Sequence, residues 1–293
     1  MRPSLIALIG SLTAASALAL LVTNTEGFTT RSFIPGNTFD RIVQIWLENQ
    51  DTPMPSSTVP NLAYLATQGR LLTNYFAITH PSQPNYVASV GGSTNGVTGD
   101  GDYNLSPSIK TVVDLLEAGG ISWATYQEDL PYSGYTGSSY QQYRRKHNPV
   151  MSYQSVTGNP SRLAKSKNFT LFFDELNNNV LPQWIFITPD MNNDGHDTGL
   201  AYGANWARNW ITPLLSNPNF NSNRTLVVLT YDEGGYTKNN KVYTVLLGSV
   251  LAPGQIGSTD STQYNHYSLL KTVEQNWGLG SLGKSDVGAA AFF

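Results

Sequence analysis

Four short apolar runs constrain the fold of this chain most. Arg41–Leu47 (RIVQIWL), Trp184–Thr188 (WIFIT), Thr225–Thr230 (TLVVLT) and Val242–Leu247 (VYTVLL) are rich in branched and aromatic residues and too short for typical helices. Runs of this kind read as strands buried on both faces. Ile121–Tyr126 and Leu71–Ile78 are further strand candidates. Between them lie segments of helical spacing: Leu62–Gln68, Pro84–Val90, Ile109–Ala118 stopped by Gly119-Gly120, Phe169–Asn177, Leu200–Leu215 and Tyr267–Trp277. In Leu200–Leu215 the expected inward face holds Trp206, Trp210, Leu214 and Leu215. Tyr132–Asn159 is polar, aromatic and turn-rich, and reads as an excursion over a site. Strands alternating with helices predict an α/β three-layer sandwich with a mostly parallel central sheet.

Size and composition fit that architecture. The 293 residues, 40% of them apolar, suit one large domain with its own core. At the N-terminus Arg2 precedes Leu5–Val22, which is almost entirely apolar or small. The expectation is a signal peptide over 1–27, followed by a single domain over 28–293. A membrane anchor is the competing reading, because the run is at the lower limit of a spanning helix. Cysteine is absent, which excludes disulfides, thiolate metal ligands and a Cys nucleophile. A net charge of −3 gives no electrostatic case for nucleic acid. Only 13% of residues are charged, against about 25% in typical domains. Such a polar, near-neutral surface fits an exported protein, free or retained at the cell wall, without a stable membrane span. N-glycans would then be expected at the Asn104, Asn168 and Asn223 sequons.

In open α/β sheets function gathers beyond the carboxyl ends of strands. RIVQIWL ends in Glu48-Asn49, and LLTNYFAI ends in Thr79-His80-Pro81-Ser82-Gln83-Pro84-Asn85-Tyr86. WIFIT runs into Pro189-Asp190-Met191-Asn192-Asn193-Asp194-Gly195-His196-Asp197, and TLVVLTY into Asp232-Glu233-Gly234-Gly235. His266 stands just ahead of the last helix. Alone, each carboxylate is a turn former or cap, and a single His is a structural residue. A parallel topology would bring them to one edge, where Asp, Glu, Asn and His suit a divalent cation. Such a cation lowers the pKa of a neighbouring hydroxyl and neutralises phosphate oxygens. Ser82 lies just before an expected helix start, a position that suits either a nucleophile beside an anion or a plain N-cap.

Taken together, Glu48-Asn49, HPSQPNY (His80–Tyr86), RKHNP (Arg145–Pro149), PDMNNDGHD (Pro189–Asp197) and YDEGG (Tyr231–Gly235) resemble the phosphoesterase family of acid phosphatases and phosphatidylcholine-type phospholipases C, within the alkaline phosphatase superfamily. The resemblance runs from about Ile42 to Gly278. It implies an alkaline phosphatase-like fold and an enzyme using one or two divalent ions (zinc, calcium or magnesium). It makes Ser82 the nucleophile and Asn85 a donor to the phosphoryl oxygen. Glu48, Asn49, Ser82, Asp190, Asp232 and Glu233 become metal ligands. His196 and His266 become ligands of a second metal or, if that metal is lost, phosphate binders or acids for the leaving group. Lys146 and His147 become substrate-binding groups. The expected reaction is phosphate monoester hydrolysis through a phosphoserine, with phospholipase C action on lipid headgroups as the alternative. A sulfatase is disfavoured, because Tyr86 stands where Ser-x-Pro-x-Arg requires Arg. A non-catalytic binding protein on a degenerate fold is the remaining contrast.

Overall fold

The computed structural model describes residues 33–50, 59–222, 224–235 and 239–293. The expected signal peptide and the Asn223 sequon lie outside the described residues. The chain forms β1 (Arg41–Leu47), α1 (Pro60–Thr67), β2 (Arg70–Leu72), β3 (Tyr75–Phe76), α2 (Ser82–Gly91), α3 (Val112–Ala118) and β4 (Trp123–Gln127). A hairpin follows, β5 (Ser139–Tyr140) and β6 (Tyr143–Arg144), then α4 (Gln154–Thr157), α5 (Pro160–Leu163), β7 (Ser166–Asn168), α6 (Phe169–Asn177) and β8 (Trp184–Thr188). The last elements are α7 (Leu200–Leu215), β9 (Thr225–Tyr231), β10 (Thr244–Leu247), β11 (Thr259–Asp260), β12 (Tyr264–Asn265) and α8 (His266–Trp277).

Eight strands form one sheet in the order β11-β2-β10-β9-β1-β8-β4-β7. β1 is central and all seven of its residues are buried. It pairs in parallel with β8 and β9, and β4 pairs in parallel with β8 and β7. Helices α2, α3 and α8 cover one face, where Trp46 and Phe186 meet Tyr86, and Trp123 reaches Glu117. Helices α6 and α7 cover the other, where Tyr126 meets Phe172 and Phe172 meets Trp210. The fold is the expected layered α/β sandwich. Arg41 explains how a charge can open a core strand: its guanidinium donates to the carbonyls of Leu181, Pro182, Asn219 and Phe220.

Two local expectations are corrected, and the mostly parallel sheet has an antiparallel member. Leu71–Ile78 is not one strand, because a turn at Thr73-Asn74 divides it and β3 joins β12 in a separate small sheet. In β10 the chain returns beside β9 without a crossover helix among the described residues, so it pairs antiparallel with β9 and β2. On α7 the buried stripe is Gly203, Ala204, Ala207, Ile211 and Leu214, while Trp206 and Trp210 stack on each other at 5.5 Å along its flank, only partly buried. Small residues are required there because the 190–199 loop packs directly on the helix. A Cβ on Gly203 would stand 2.9 Å from the Asp194 carbonyl oxygen.

Asn104 is exposed, whereas Asn168 is half-buried and caps α6 through the Leu171 amide. Among the described residues no helix is long and apolar enough to cross a membrane.

Candidate active site

Parallel pairing carries three acid-bearing strand ends to one edge. The Glu48 amide donates to the Asp194 carbonyl at 3.1 Å, and the Asp232 amide to the Leu47 carbonyl at 2.9 Å. Ser82 opens α2 as its first helical residue, and the N-cap is Pro81, so the plain-cap reading of Ser82 does not hold. Its hydroxyl lies 3.1 Å from Glu48 Oε2 and 3.1 Å from Glu233 Oε1. One hydroxyl proton can serve only one of these acceptors. The other Glu48 oxygen accepts from the Tyr86 hydroxyl, and His147 Nε2 lies 3.2 Å from Glu48 Oε2. Tyr86 stacks on the His147 ring at 5.3 Å. Tyr86 thus orients Glu48 at the position where a sulfatase pattern requires Arg.

Glu48, Asp194, Asp232 and Glu233 are all buried to within a few per cent of full burial. Burial first, then like-charge repulsion, drives their pKa values up: Asp232 and Asp194 well above the ordinary range, each with Glu48 as the main neighbouring charge, and Glu233 to about 8. Glu48 is raised by burial against the opposing pull of Tyr86, Lys146, His196 and Ser82. Neither oxygen of Asp232 meets a well-formed hydrogen bond, and Oδ2 of Asp194 has no partner. Glu233 also pairs with His80. Burial and the Lys146, His196 and Arg144 charges push His147 well below the ordinary imidazole value, which favours the neutral form that ligates metals. Glu48, His147 and Asp194 offer ligand atoms that all lie within 4.8 Å of one another, a group that could hold a metal ion. Buried carboxylate oxygens without donors, facing a neutral imidazole, fit a divalent cation.

Lys146 stands at the rim and pairs with Asp100 at 2.6 Å; that pair, with Glu48 and Asp232, raises its pKa against the effect of burial. Asp100 also caps α2 through the Gln83 amide at 3.1 Å. His196 is partly exposed, its ring 6.4 Å from that of His147 and its Nδ1 2.7 Å from Asp197. Asn49 is half-buried beside Glu48.

Three expected site residues are placed elsewhere. Asp190 folds into its own loop, where Oδ1 accepts from the Asn192 and Asn193 amides at 2.8 Å each. Asp194, four residues on and returned by Gly195 at φ 93°, takes the site position instead. An Asp whose side chain accepts from the amide two residues on forms an Asx turn, and in this structure Asp190 makes that bond. Asn85 does not turn its amide toward Ser82: Oδ1 accepts from the Ile78 and Thr79 amides, and Nδ2 donates to the Thr79 and Pro81 carbonyls. It fixes the loop that presents Ser82. His266 is fully buried against Trp46, with one ring nitrogen on the Tyr75 hydroxyl and the other on the Asp232 carbonyl, and burial pushes its pKa down to about 4. It supports the Asp232 backbone rather than facing a substrate. Asp194, Tyr86 and Asp100 were absent from the sequence-derived set; nothing in strand-end spacing marks Asp100, which comes from a distant loop.

A model of the Phosphoesterase family matches residues 36–280. The chain is 47% identical to an acid phosphatase of Aspergillus fumigatus over 94% of this chain and 63% of that protein. It is 47% identical to a phosphate-repressible acid phosphatase of Penicillium chrysogenum over 88% and 64%. It therefore spans less than two thirds of the length of these two relatives. A phosphatidylinositol-3-phosphatase of Mycobacterium tuberculosis is 32% identical over 84% of this chain and 79% of its own. Among solved structures, an alkaline phosphatase superfamily protein from Vibrio parahaemolyticus superposes with a TM-score of 0.55 at 11% identity, covering 88% of this chain and 72% of that one; this likeness concerns the fold.

Proposed function

Because the chain belongs to the Phosphoesterase family, we propose that it is a secreted acid phosphatase that hydrolyses phosphate monoesters through a phosphoserine at Ser82. The observation that carries this reading is the Ser82 hydroxyl at the first turn of α2, 3.1 Å from each of two buried carboxylates. The 47% identical relatives are named acid phosphatases, which supports the same reading. Export rests on the apolar run Leu5–Val22 behind Arg2.

Glu48, His147 and Asp194, with Asp232 and Glu233 beside them, would hold the cation; when bound it lowers the pKa of a nearby hydroxyl and offsets phosphoryl charge. In the proposed reaction Glu48, whose rise with burial is opposed by Tyr86, Lys146, His196 and Ser82, accepts the Ser82 proton, and Oγ attacks phosphorus in line. The ester P–O bond breaks, and the leaving alkoxide takes a proton at the rim, where partly exposed His196 stands. Water then attacks the phosphoserine from the opposite side, and Ser82 regains its proton as phosphate leaves. Lys146 places positive charge where phosphoryl oxygens arrive. Asn85 and Tyr86 keep the nucleophile and Glu48 in register.

A second reading, a phosphate on a lipid headgroup, is favoured by the relative named phosphatidylinositol-3-phosphatase and by exposed Tyr132 and Tyr140 on the 132–159 excursion. Phospholipase C cleavage would use the same attack with a diester. Hydrolysis of p-nitrophenyl phosphate from pH 4 to 9 by wild type and Ser82→Ala, with metal content measured on the same samples, tests the main reading. Turnover in wild type alone supports it. Turnover retained by Ser82→Ala removes the nucleophile assignment. Metal-loaded protein inactive on the monoester but active on phosphoinositide or phosphatidylcholine vesicles selects the lipid reading.

A further inference from the structure

One face of β4 carries polar groups where apolar packing is the rule. Thr125 and Gln127, two residues apart on a strand, point to the same side of the sheet, and both are fully buried. Register sets Thr125 between Phe186 of β8 and Ser166 of β7, and Gln127 beside Thr188. The turn that carries Arg145–His147 and Asn148 covers this patch. The Thr188 hydroxyl donates to the His147 carbonyl at 3.1 Å, and the Asn148 amide donates to the Ser166 hydroxyl at 2.8 Å. Yet Thr125 Oγ1, both amide atoms of Gln127 and Asn148 Oδ1 have no hydrogen-bond partner in the protein.

A buried polar group left unpaired is destabilising, and four such atoms under one turn would cost a domain a large part of its net stability. Their chemistry limits what can satisfy them. Gln127 Nε2 can only donate, while Gln127 Oε1 and Asn148 Oδ1 can only accept. The occupant must therefore accept and donate. A bare cation cannot accept, and a simple anion cannot donate. Water does both, and typically makes about three such bonds when buried.

We propose that buried water bridges Gln127 and Thr125 to Asn148, and that Gln127 is thereby a positioning residue for the adjacent His147. Functionally this rests on the reading that His147 serves the Ser82 centre. His147 Nε2 lies 3.2 Å from Glu48 Oε2, and its backbone is fixed by the turn the bridge supports. Gln127 touches neither Ser82 nor a carboxylate of the site in this structure; it acts through the turn.

The test is Gln127→Leu, which keeps length and removes hydrogen bonding, with Thr125→Val and the conservative Thr125→Ser. Expected is a fall in kcat of about tenfold for Gln127→Leu and Thr125→Val with KM little changed, and near-normal kcat for Thr125→Ser. On a His147→Ala background, Gln127→Leu should add almost nothing. A raised Tm with unchanged kcat in Gln127→Leu would overturn the proposal, since it would show an amide that was merely unpaired. Crystal structures of wild type and Gln127→Leu at water-resolving resolution decide the matter independently of turnover. If wild type is inactive, the phosphatase reading fails. The bridge then stands if ordered water bonds Gln127 and His147 shifts from Glu48 in the variant, and falls if the pocket is dry or His147 does not move.

Discussion

Beyond the ends of β1, β8 and β9, four carboxylates are buried together, two of them on the Ser82 hydroxyl, whereas on α8 Glu274 is buried beside Asp286, with the Leu282 amide and Lys271 opposing its rise. Both arrangements crowd like charges in a poor solvent, two acids in one and four in the other. Burial, then Asp286, pushes Glu274 up to about 8, so at neutral pH it keeps a proton and shares it with Asp286. Asp286 stays below its usual range despite burial, held by the Lys284 and Leu282 amides at 2.8 Å each and by that proton. At the site the acids are more numerous and less supported: Asp194 Oδ2 has no partner, and Asp232 is pushed well above its ordinary range by burial, Glu48 and Glu233, with Ser82 opposing. One shared proton neutralises a pair. Four acids with Ser82, Tyr86 and a neutral His147 form a group that could hold a divalent cation, whose charge would offset theirs.

The comparison can be broken most severely at Ser82. Ser82→Ala should lower kcat by at least about 10³-fold, while Glu274→Gln leaves steady-state kinetics unchanged. Next in size, Asp194→Asn should cost about 10²-fold in kcat/KM, while Asp190→Asn, a turn former, should stay within about threefold. Equal losses from the two would mean that the 190–199 loop is misread. Cation binding should raise the stability of wild type and Glu274→Gln by about 2.7 kcal/mol at a hundredfold excess over Kd, seen as a Tm shift on chelation. Asp232→Asn should show a smaller shift, and its chelated form should melt above chelated wild type, because one buried like charge is gone.

The smallest effect is on pH dependence. A raised folded-state pKa at Glu274 means that the folded chain holds a proton the unfolded chain releases. Its contribution is present below pH 4.5 and declines as pH rises from there to about 8. Glu274→Gln should flatten the stability curve over that window, by about 1 kcal/mol per pH unit at most. An unchanged slope would show that the proton is not shared there.

The buried runs made the sheet legible, because parallel strands covered on both faces read as continuous apolar segments. Strand-end chemistry likewise pointed to Glu48, Asp232 and Glu233, since topology alone carries them to one edge. What spacing could not convey was side-chain commitment. Asp190, Asn85 and His266 are spent on backbone groups of their own neighbourhoods. Asp194 reaches the site because Gly195 and Gly203 let the loop fold tightly onto α7. Gln127 sits inside a strand, where sequence marks it only as a polar residue in an unsuitable place.

The most direct measurement is calorimetric titration of Zn²⁺, Ca²⁺ and Mg²⁺, each separately, into chelator-stripped wild type, Asp232→Asn and Glu274→Gln. Saturable binding of at least one cation by wild type and Glu274→Gln, weakened about tenfold or more in Asp232→Asn, is the expected result. Binding of equal strength in Asp232→Asn, or catalytically active wild type that takes up none of the three, would contradict the assignment of the carboxylate cluster as a cation site.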